Sequence, residues 1–381
     1  MRKPSEIRGL YLHVPFCAHK CHYCDFFSIV DDERQGVFVD GLVAELDALD
    51  ERLAAEPRDI RSIFIGGGTP TLLTVDAWRR ILATLDRIAG LGPGTELTVE
   101  ANPETVTDEL ARVLANGGVT RVSIGAQSFD PRHLKTLERW HEPANVGRSM
   151  DRFRAAGLED INVDLIFGIP GQTPAEWQDD LDRALALAPT HLSCYSLMYE
   201  PGTPLTVRRD RGDITPIDED DAATMYETTI ACLASAGYEQ YEVSAWSRTG
   251  RRCRHNMLYW TNGNWWALGP SASGHVDGYR WKNTPRLTDY LANAANPPVQ
   301  DVETPAAERI VAETLMMGLR LRDGLALARL DALLAVDPAA ARRRATIDRL
   351  TNEGSLEVRG EALRIPDERI LVSDGIIAEL I

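Results

Sequence analysis

Residues 11–24 read Tyr11-Leu-His-Val-Pro-Phe-Cys17-Ala-His-Lys-Cys21-His-Tyr-Cys24. A short β-rich run leads into three cysteines at spacing C-x3-C-x2-C. Closely spaced thiolates of this kind hold iron–sulfur clusters. Four irons need four ligands and this loop supplies three, which leaves one iron open to a small molecule. Zinc is the alternative chemistry, because it takes four protein ligands and His13, His19 or His22 could complete the set. The other three cysteines, Cys194, Cys232 and Cys253, are scattered.

Outward from this loop, β-rich runs alternate with helical patterns. Strands are expected at Leu10–His13, Ser62–Ile65, Leu97–Glu100, Arg121–Ile124, Ile161–Phe167, His191–Leu197 and Gln240–Val243. Several are apolar or β-branched throughout, which predicts strands buried on both faces. Helices are expected at Gly36–Leu53, Asp76–Ile88, Pro174–Leu187 and Asp218–Ala236. Repeated βα units predict an α/β fold with a parallel sheet and right-handed crossovers. Special residues gather where the strands end: Gly66-Gly67-Gly68, Glu100, Gln127 and Asp164. In parallel α/β folds the C-terminal strand ends carry the site, so one pocket fed by many strands is expected.

The chain has 381 residues, 57 of them acidic and 41 basic, with a net charge of -16. Such a surface repels nucleic acid and anionic membrane, so no nucleic-acid partner is expected. No apolar run of about 18 residues appears, and Met1–Leu10 lacks the apolar centre of a signal peptide. A cytoplasmic location follows as the expectation, and there clustered cysteines read as metal ligands.

With the cysteine loop, Phe64-Ile65-Gly66-Gly67-Gly68-Thr69-Pro70-Thr71 after the second strand resembles the radical S-adenosylmethionine (SAM) superfamily. The resemblance implies a partial (β/α)6 barrel. It also implies a [4Fe–4S] cluster on Cys17, Cys21 and Cys24 whose open iron binds SAM and cleaves it to a carbon radical. Carried over residue by residue, it assigns Gly66, Gly67, Gly68 and Thr69 to the SAM amine, and Glu100, Gln127 and Asp164 to the ribose. Arg139 would meet the SAM carboxylate, and Tyr11 and Tyr23 line the pocket. Taken singly, each of these is equally at home as a turn, a cap or a surface ion pair. Asp164, inside an apolar strand, is the hardest to explain as structure, since a buried carboxylate needs partners.

The likeness extends over nearly the whole chain, to the branch containing oxygen-independent coproporphyrinogen III oxidases and HemW-type heme chaperones. The oxidases carry a fourth cysteine two residues after the third, where this chain has Phe26, and a long N-terminal arm where 16 residues precede Cys17. His255-Asn256-Met257-Leu258-Tyr259-Trp260 matches the H-N-x-x-Y-W signature of the chaperones. The resemblance therefore implies heme as a further cofactor, with a candidate heme region at His255, Asn256, Tyr259 and Trp260. Cys253 is an alternative iron ligand, and Arg251, Arg252 and Arg254 are candidate partners of heme propionates. The implied partner is a heme-accepting apoprotein, such as a membrane-associated respiratory enzyme. An oxidase-type radical reaction on a porphyrin-like substrate is the alternative. Trp140, Ala245 and Ser273 depart from the residues usual in the branch.

Three regions are expected: 1–243 as the barrel, 244–298 as an irregular Trp/Asn/Gly-rich segment packed on it, and 299–381 as a small C-terminal unit. In the last, helices at Ala306–Arg322, Leu325–Leu334 and Pro338–Asn352, a hairpin about Gly360-Glu361, and a final helix over Asp367–Leu380 predict a winged-helix-like α+β domain. Residues 301–381 hold 15 acidic and 11 basic residues, which argues for structural or docking work rather than DNA binding.

Overall fold

The computed structural model describes residues 6–53, 59–92 and 94–381; part of the N-terminal stretch read for a signal peptide, residues 1–5, lies outside these. Six strands run parallel in sequence order: β1 (Gly9–Val14), β2 (Ser62–Gly67), β3 (Glu96–Ala101), β4 (Arg121–Gln127), β5 (Asp160–Phe167) and β6 (His191–Ser196). Helices follow the strands, among them Gln35–Leu53 after β1, Val75–Ala89 after β2 and Pro174–Ala186 after β5. The alternation predicts this parallel run, and the partial (β/α)6 barrel is the one that the family resemblance implies.

The strands are not buried against apolar groups on both faces. Leu97 and Val99, Val122 and Ile124, Ile161 and Val163, and Leu192 and Cys194 all join the core beneath the helices. Because successive side chains on a strand point to opposite faces, their neighbours turn into the barrel. These are Glu96, Thr98 and Glu100; Arg121 and Ser123; Asn162 and Asp164; His191, Ser193 and Tyr195. The interior is polar. An unbroken strand-like appearance in these runs hides a two-residue period, since Thr and Tyr read as strand formers by propensity whichever face they take.

Where irregular structure is expected in 244–298, four strands form, of which the first two are β8 (Ala245–Ser247) and β9 (Trp265–Leu268). The sheet gains β8 antiparallel to β6 and, outside it, β7 (Glu239–Glu242) antiparallel to β8, so the seventh expected strand lies at an edge and does not pair with the parallel run. On the other side β9 pairs parallel with β1. Antiparallel β10 (Ser273–Val276), β11 (Tyr279–Asn283) and β12 (Val299–Glu303) follow it outward. β12, expected beyond a linker, thus belongs to the 12-stranded sheet. These strands are three to five residues long and broken by turns at Asn262, Asp277 and Gly278, all at positive φ, too short for a periodic signal to emerge.

The C-terminal unit has its own core, built on Val311, Leu315, Leu330, Leu350, Leu363 and Ile377. Helices Ala307–Gly318, Leu327–Leu334 and Ala340–Asn352 pack beside a small sheet of β13 (Leu325–Ala326), β14 (Glu357–Arg359) and β15 (Ala362–Arg364). This is the winged-helix-like arrangement expected. The final helix splits into a 3-10 turn, Asp367–Val372, and a short helix, Ser373–Ala378.

One buried carboxylate ties the late strands to the barrel. Glu45, on the helix Gln35–Leu53, accepts hydrogen bonds from the Gly269 N–H (2.7 Å), the Tyr290 hydroxyl (2.8 Å) and the Asn283 amide (3.0 Å). Replacing Glu45 by Ala strands three buried donors, so a loss of about 2–4 kcal/mol is expected in denaturant unfolding. A loss below about 1 kcal/mol would show that this carboxylate does not anchor the segment.

Candidate functional site

The cysteine loop lies at the C-terminal end of β1 and is held by backbone bonds to its neighbours. Cys17 N–H donates to Ile29 O (3.0 Å), His22 N–H to Leu137 O (3.1 Å), and His22 O accepts from Leu205 N–H (2.9 Å). The glycine triplet ends β2 and passes against this loop. Gly68 N–H donates to Val14 O and Thr69 N–H to Phe16 O. A Cβ on Gly68 would stand 2.5 Å from Phe16 O, and one on Gly66 2.7 Å from a Glu100 carboxylate oxygen. Gly67 has φ +107, a conformation open to glycine at little cost. The triplet is therefore required by close backbone approach as well as by any ligand.

Two contacts tie the thiols to the pocket side chains. Thr69 Oγ1 donates to Cys17 Sγ (3.6 Å) and Arg139 Nη1 to Cys21 Sγ (3.7 Å). Burial pushes the Cys24 thiol up to about 11, and its fellow cysteines add to the shift, so a cation must be present for it to ionise at neutral pH. Among the described residues, the metal-ligating side chains that close to within 4.8 Å of one another are Asp130, His133 and Glu176. The cysteines are not such a set. Their three sulfurs do not all lie within 4.8 Å of one another, whereas thiolates at about 2.3 Å from one zinc ion lie about 3.8 Å apart. A multi-iron cluster fits this wider spacing. At Asp130 and Glu176 the cation is already supplied, since Arg132 reaches both carboxylates at 2.5 and 2.6 Å.

The expected SAM residues converge on the same end of the barrel. Glu100 Oε2 accepts from Gly67 N–H (3.1 Å). Arg139 Nη2 donates to Gly125 O (3.0 Å), while its Nε has no partner, an orphaned donor fit for a carboxylate. Gln127 ends β4 at φ +64, within a break of the β4–β5 register; strain of this kind collects at functional positions. Asp164 accepts from Ser123 Oγ (2.8 Å) and Asn162 Nδ2 (2.8 Å). The Tyr11 hydroxyl meets His13 Nδ1 at 3.1 Å, and Tyr23 packs with Leu137 and Leu197 beside the loop. Burial, then the negative charge of Asp164, raises the Glu100 carboxyl to about 8.

The His-Asn-x-x-Tyr-Trp motif sits elsewhere. It forms the helix Arg254–Trp260, which caps the opposite, N-terminal end of the strands. His255 has no exposed surface. Its Nδ1 meets Ser62 Oγ (2.9 Å) and its Nε2 meets the Tyr259 hydroxyl (2.9 Å). Its backbone N–H and that of Arg254 both donate to Glu96, at 3.0 and 2.8 Å. Burial lowers the imidazole to about 3, so it is neutral. With both ring nitrogens engaged, His255 is not free to ligate heme iron in this conformation. Cys253 is likewise buried, capping the helix and facing Glu96 at 3.4 Å. Arg252 pairs with Asp323, Arg254 with Gly94 O, and Arg251 lies 3.6 Å from Asp160. These arginines are committed to the fold rather than gathered round a porphyrin.

The Radical SAM superfamily profile matches residues 11–184, and the HemN C-terminal domain profile matches 306–372. The heme chaperone HemW of Mycobacterium tuberculosis is 36% identical over 387 residues, covering 99% of this chain and 96% of that protein. The chain belongs to the HemW family. HemW of Lactococcus lactis is 35% identical, covering 85% of this chain and 84% of its own length, and HemW of Escherichia coli K12 is 38% identical, covering 70% of each. Among solved structures, the coproporphyrinogen III oxidase HemN of Escherichia coli superposes with TM-score 0.83 at 20% identity, covering 100% of this chain and 91% of that one. HemW and HemN thus share one fold, which membership of the radical SAM superfamily associates with a [4Fe–4S] cluster and SAM.

Sequence reasoning missed the polar residues beneath the site: Ser123, Asn162, His191, Ser193 and Tyr241. Their signal was present as alternation in Asn162-Val-Asp164 and His191-Leu-Ser193-Cys-Tyr195. His13 is buried, with Nε2 at 2.8 Å from Phe27 O, so it props the cysteine loop rather than completing a zinc set.

The Glu100 shift has a stability consequence. A carboxyl raised from 4.5 to about 8 holds a proton in the folded chain across that window and releases it in the unfolded one. Stability from this group therefore falls as pH rises from about 4.5 to 8. Glu100→Gln is expected to stabilise the ligand-free protein at pH 8 by about 1–3 kcal/mol and to flatten the decline. Parallel stability–pH curves for the two proteins would refute the assignment.

Proposed function

We propose that this chain is a heme chaperone that carries a [4Fe–4S] cluster on Cys17, Cys21 and Cys24, binds SAM across Gly66, Gly67, Gly68, Thr69, Glu100, Gln127, Arg139 and Asp164, and passes heme to an apoprotein. The single observation that supports it most is end-to-end similarity to chaperones at 36% identity, together with Phe26 at the place of the oxidases' fourth cysteine. The cluster would supply the electron for SAM cleavage. The protein's own groups accept from the ribose, hold the carboxylate at Arg139, and exclude water beneath Phe64 and Tyr11.

The heme reading needs a flat apolar surface, and the sealed foot of the barrel offers none. The cluster end does. Phe26 (58% exposed) just past the cysteines, Tyr195 (46%) on β6 next to its last residue Ser196, and Met198 (64%) just past that strand present large side chains there. Exposed apolar groups gathered at one rim mark a binding surface, and Met is a known axial ligand of heme iron. His255, Asn256, Tyr259 and Trp260 lie at the other end of the barrel, on the helix that packs against Glu96 and Ser62.

The test is heme titration of the anaerobically reconstituted protein, followed by assay of the same samples for coproporphyrinogen turnover. Stoichiometric binding without turnover is expected, weakened at least about tenfold by Met198→Ala combined with Tyr195→Ala and kept within about threefold in His255→Gln. Turnover without stable heme binding would make the chain an oxidase. Loss of binding in His255→Gln, with unfolding excluded by circular dichroism, would return heme to the motif.

A further inference from the structure

The foot of the barrel and the candidate SAM pocket are joined by an unbroken run of hydrogen bonds, part-buried at its two ends and fully buried at His191. Asn256 Nδ2 reaches Glu242 Oε1 (3.1 Å) and the Tyr241 hydroxyl (3.0 Å). The Tyr241 hydroxyl meets His191 Nε2 (2.9 Å), and His191 Nδ1 meets Asn162 Oδ1 (2.6 Å). Asn162 Nδ2 then reaches Asp164 Oδ1 (2.8 Å). Asn162, His191 and Tyr241 are each at most 1% exposed.

The donor inventory gives this run one direction. An amide NH2 can only donate, so Asn256 donates to Glu242 and to the Tyr241 oxygen. Tyr241 has one proton and turns it to His191 Nε2. Burial holds His191 neutral, so its single N–H is on Nδ1 and donates to Asn162 Oδ1. Ser193 Oγ also donates to that oxygen (3.1 Å). The Asn162 amide is thereby held with Nδ2 towards Asp164 Oδ1 and Ser123 Oγ (2.7 Å). Turned over, it would set an oxygen against the Asp164 carboxylate. Each link polarises the next, and the low dielectric strengthens the chain.

We propose that Asn256, the second residue of the His-Asn-x-x-Tyr-Trp motif, is a positioning residue for the SAM-binding carboxylate Asp164, acting through Tyr241, His191 and Asn162. The motif then serves the SAM pocket from the far end of the barrel. The proposal rests on the assignment of Asp164 to SAM and is independent of where heme binds.

SAM affinity is measured by equilibrium dialysis on anaerobically reconstituted wild type, Asn256→Ala, Tyr241→Phe and the double variant. Tyr238→Phe, whose hydroxyl donates to Pro189 O off this run, controls for the loss of a buried hydroxyl. Each on-chain single variant is expected to bind SAM about tenfold more weakly, as for one lost hydrogen bond in a buried network. The double variant should be no more than about twofold worse, because both changes cut one chain. Tyr238→Phe should match wild type. Separately, 15N shifts of the wild-type imidazoles should show His191 with its proton on Nδ1, a reading that needs no variant to fold. Wild-type affinity in both single variants, multiplying losses in the double, equal loss in Tyr238→Phe, or an Nε2–H tautomer of His191 would each overturn the proposal. Unchanged SAM affinity in Asp164→Asn would instead refute the SAM pocket itself.

Discussion

A polar barrel interior is the constraint to which the rest of this molecule answers. Glu96, Glu100, Arg121, Asn162, Asp164 and His191 all point inward from parallel strands whose other faces pack under helices. A buried polar group without a partner costs about 1–3 kcal/mol, and more when charged. The interior must therefore be wired rather than packed. Ser123 and Asn162 serve Asp164, the backbone of the motif helix serves Glu96, and Gly67 serves Glu100.

That constraint sorts the two ends of the barrel. At the N-terminal end the helix Arg254–Trp260 lays its amides on Glu96 and its histidine against Ser62 and Tyr259, while Arg121 Nε and Trp260 Nε1 keep no hydrogen-bond partner. At the C-terminal end Arg139 Nε has no partner, and Glu100 and Asp164 are raised by burial and, for Glu100, by mutual repulsion. Groups left in that condition are poised for a ligand that brings hydroxyls, an ammonium and a carboxylate.

The late strands and the C-terminal unit serve the same arrangement from outside. Glu45 draws the β9–β11 region onto the first helix, and β9 closes against β1, shielding the strand that leads to Cys17. The C-terminal unit has a separate core and touches the barrel where Arg252 meets Asp323 and Arg322 N–H meets Tyr241 O. It thereby abuts the strand that carries one link of the buried chain.

The sequence by itself determined the parallel βα run, the cysteine loop, the glycine turn and the winged-helix-like unit. These are local: spacing of thiols, periodicity of apolar groups and turn residues are written within a few positions of one another. It also singled out Glu100, Gln127 and Asp164 as special residues on the strands, whereas Arg139 was named through the family resemblance. Only the tertiary structure decided that the His255 motif closes the foot of the barrel, that Cys253 and its arginines are spent on Glu96, Gly94 and Asp323, and that residues 244–303 extend the sheet. Those outcomes depend on partners about 70 to 240 positions away, as with His255 on Ser62 or Gly269 on Glu45. A histidine followed by an asparagine reads the same in a heme pocket and in a sealed hydrogen-bond network. What separates them is whether its ring nitrogens are already taken, and that is settled by the residues that folding brings beside it.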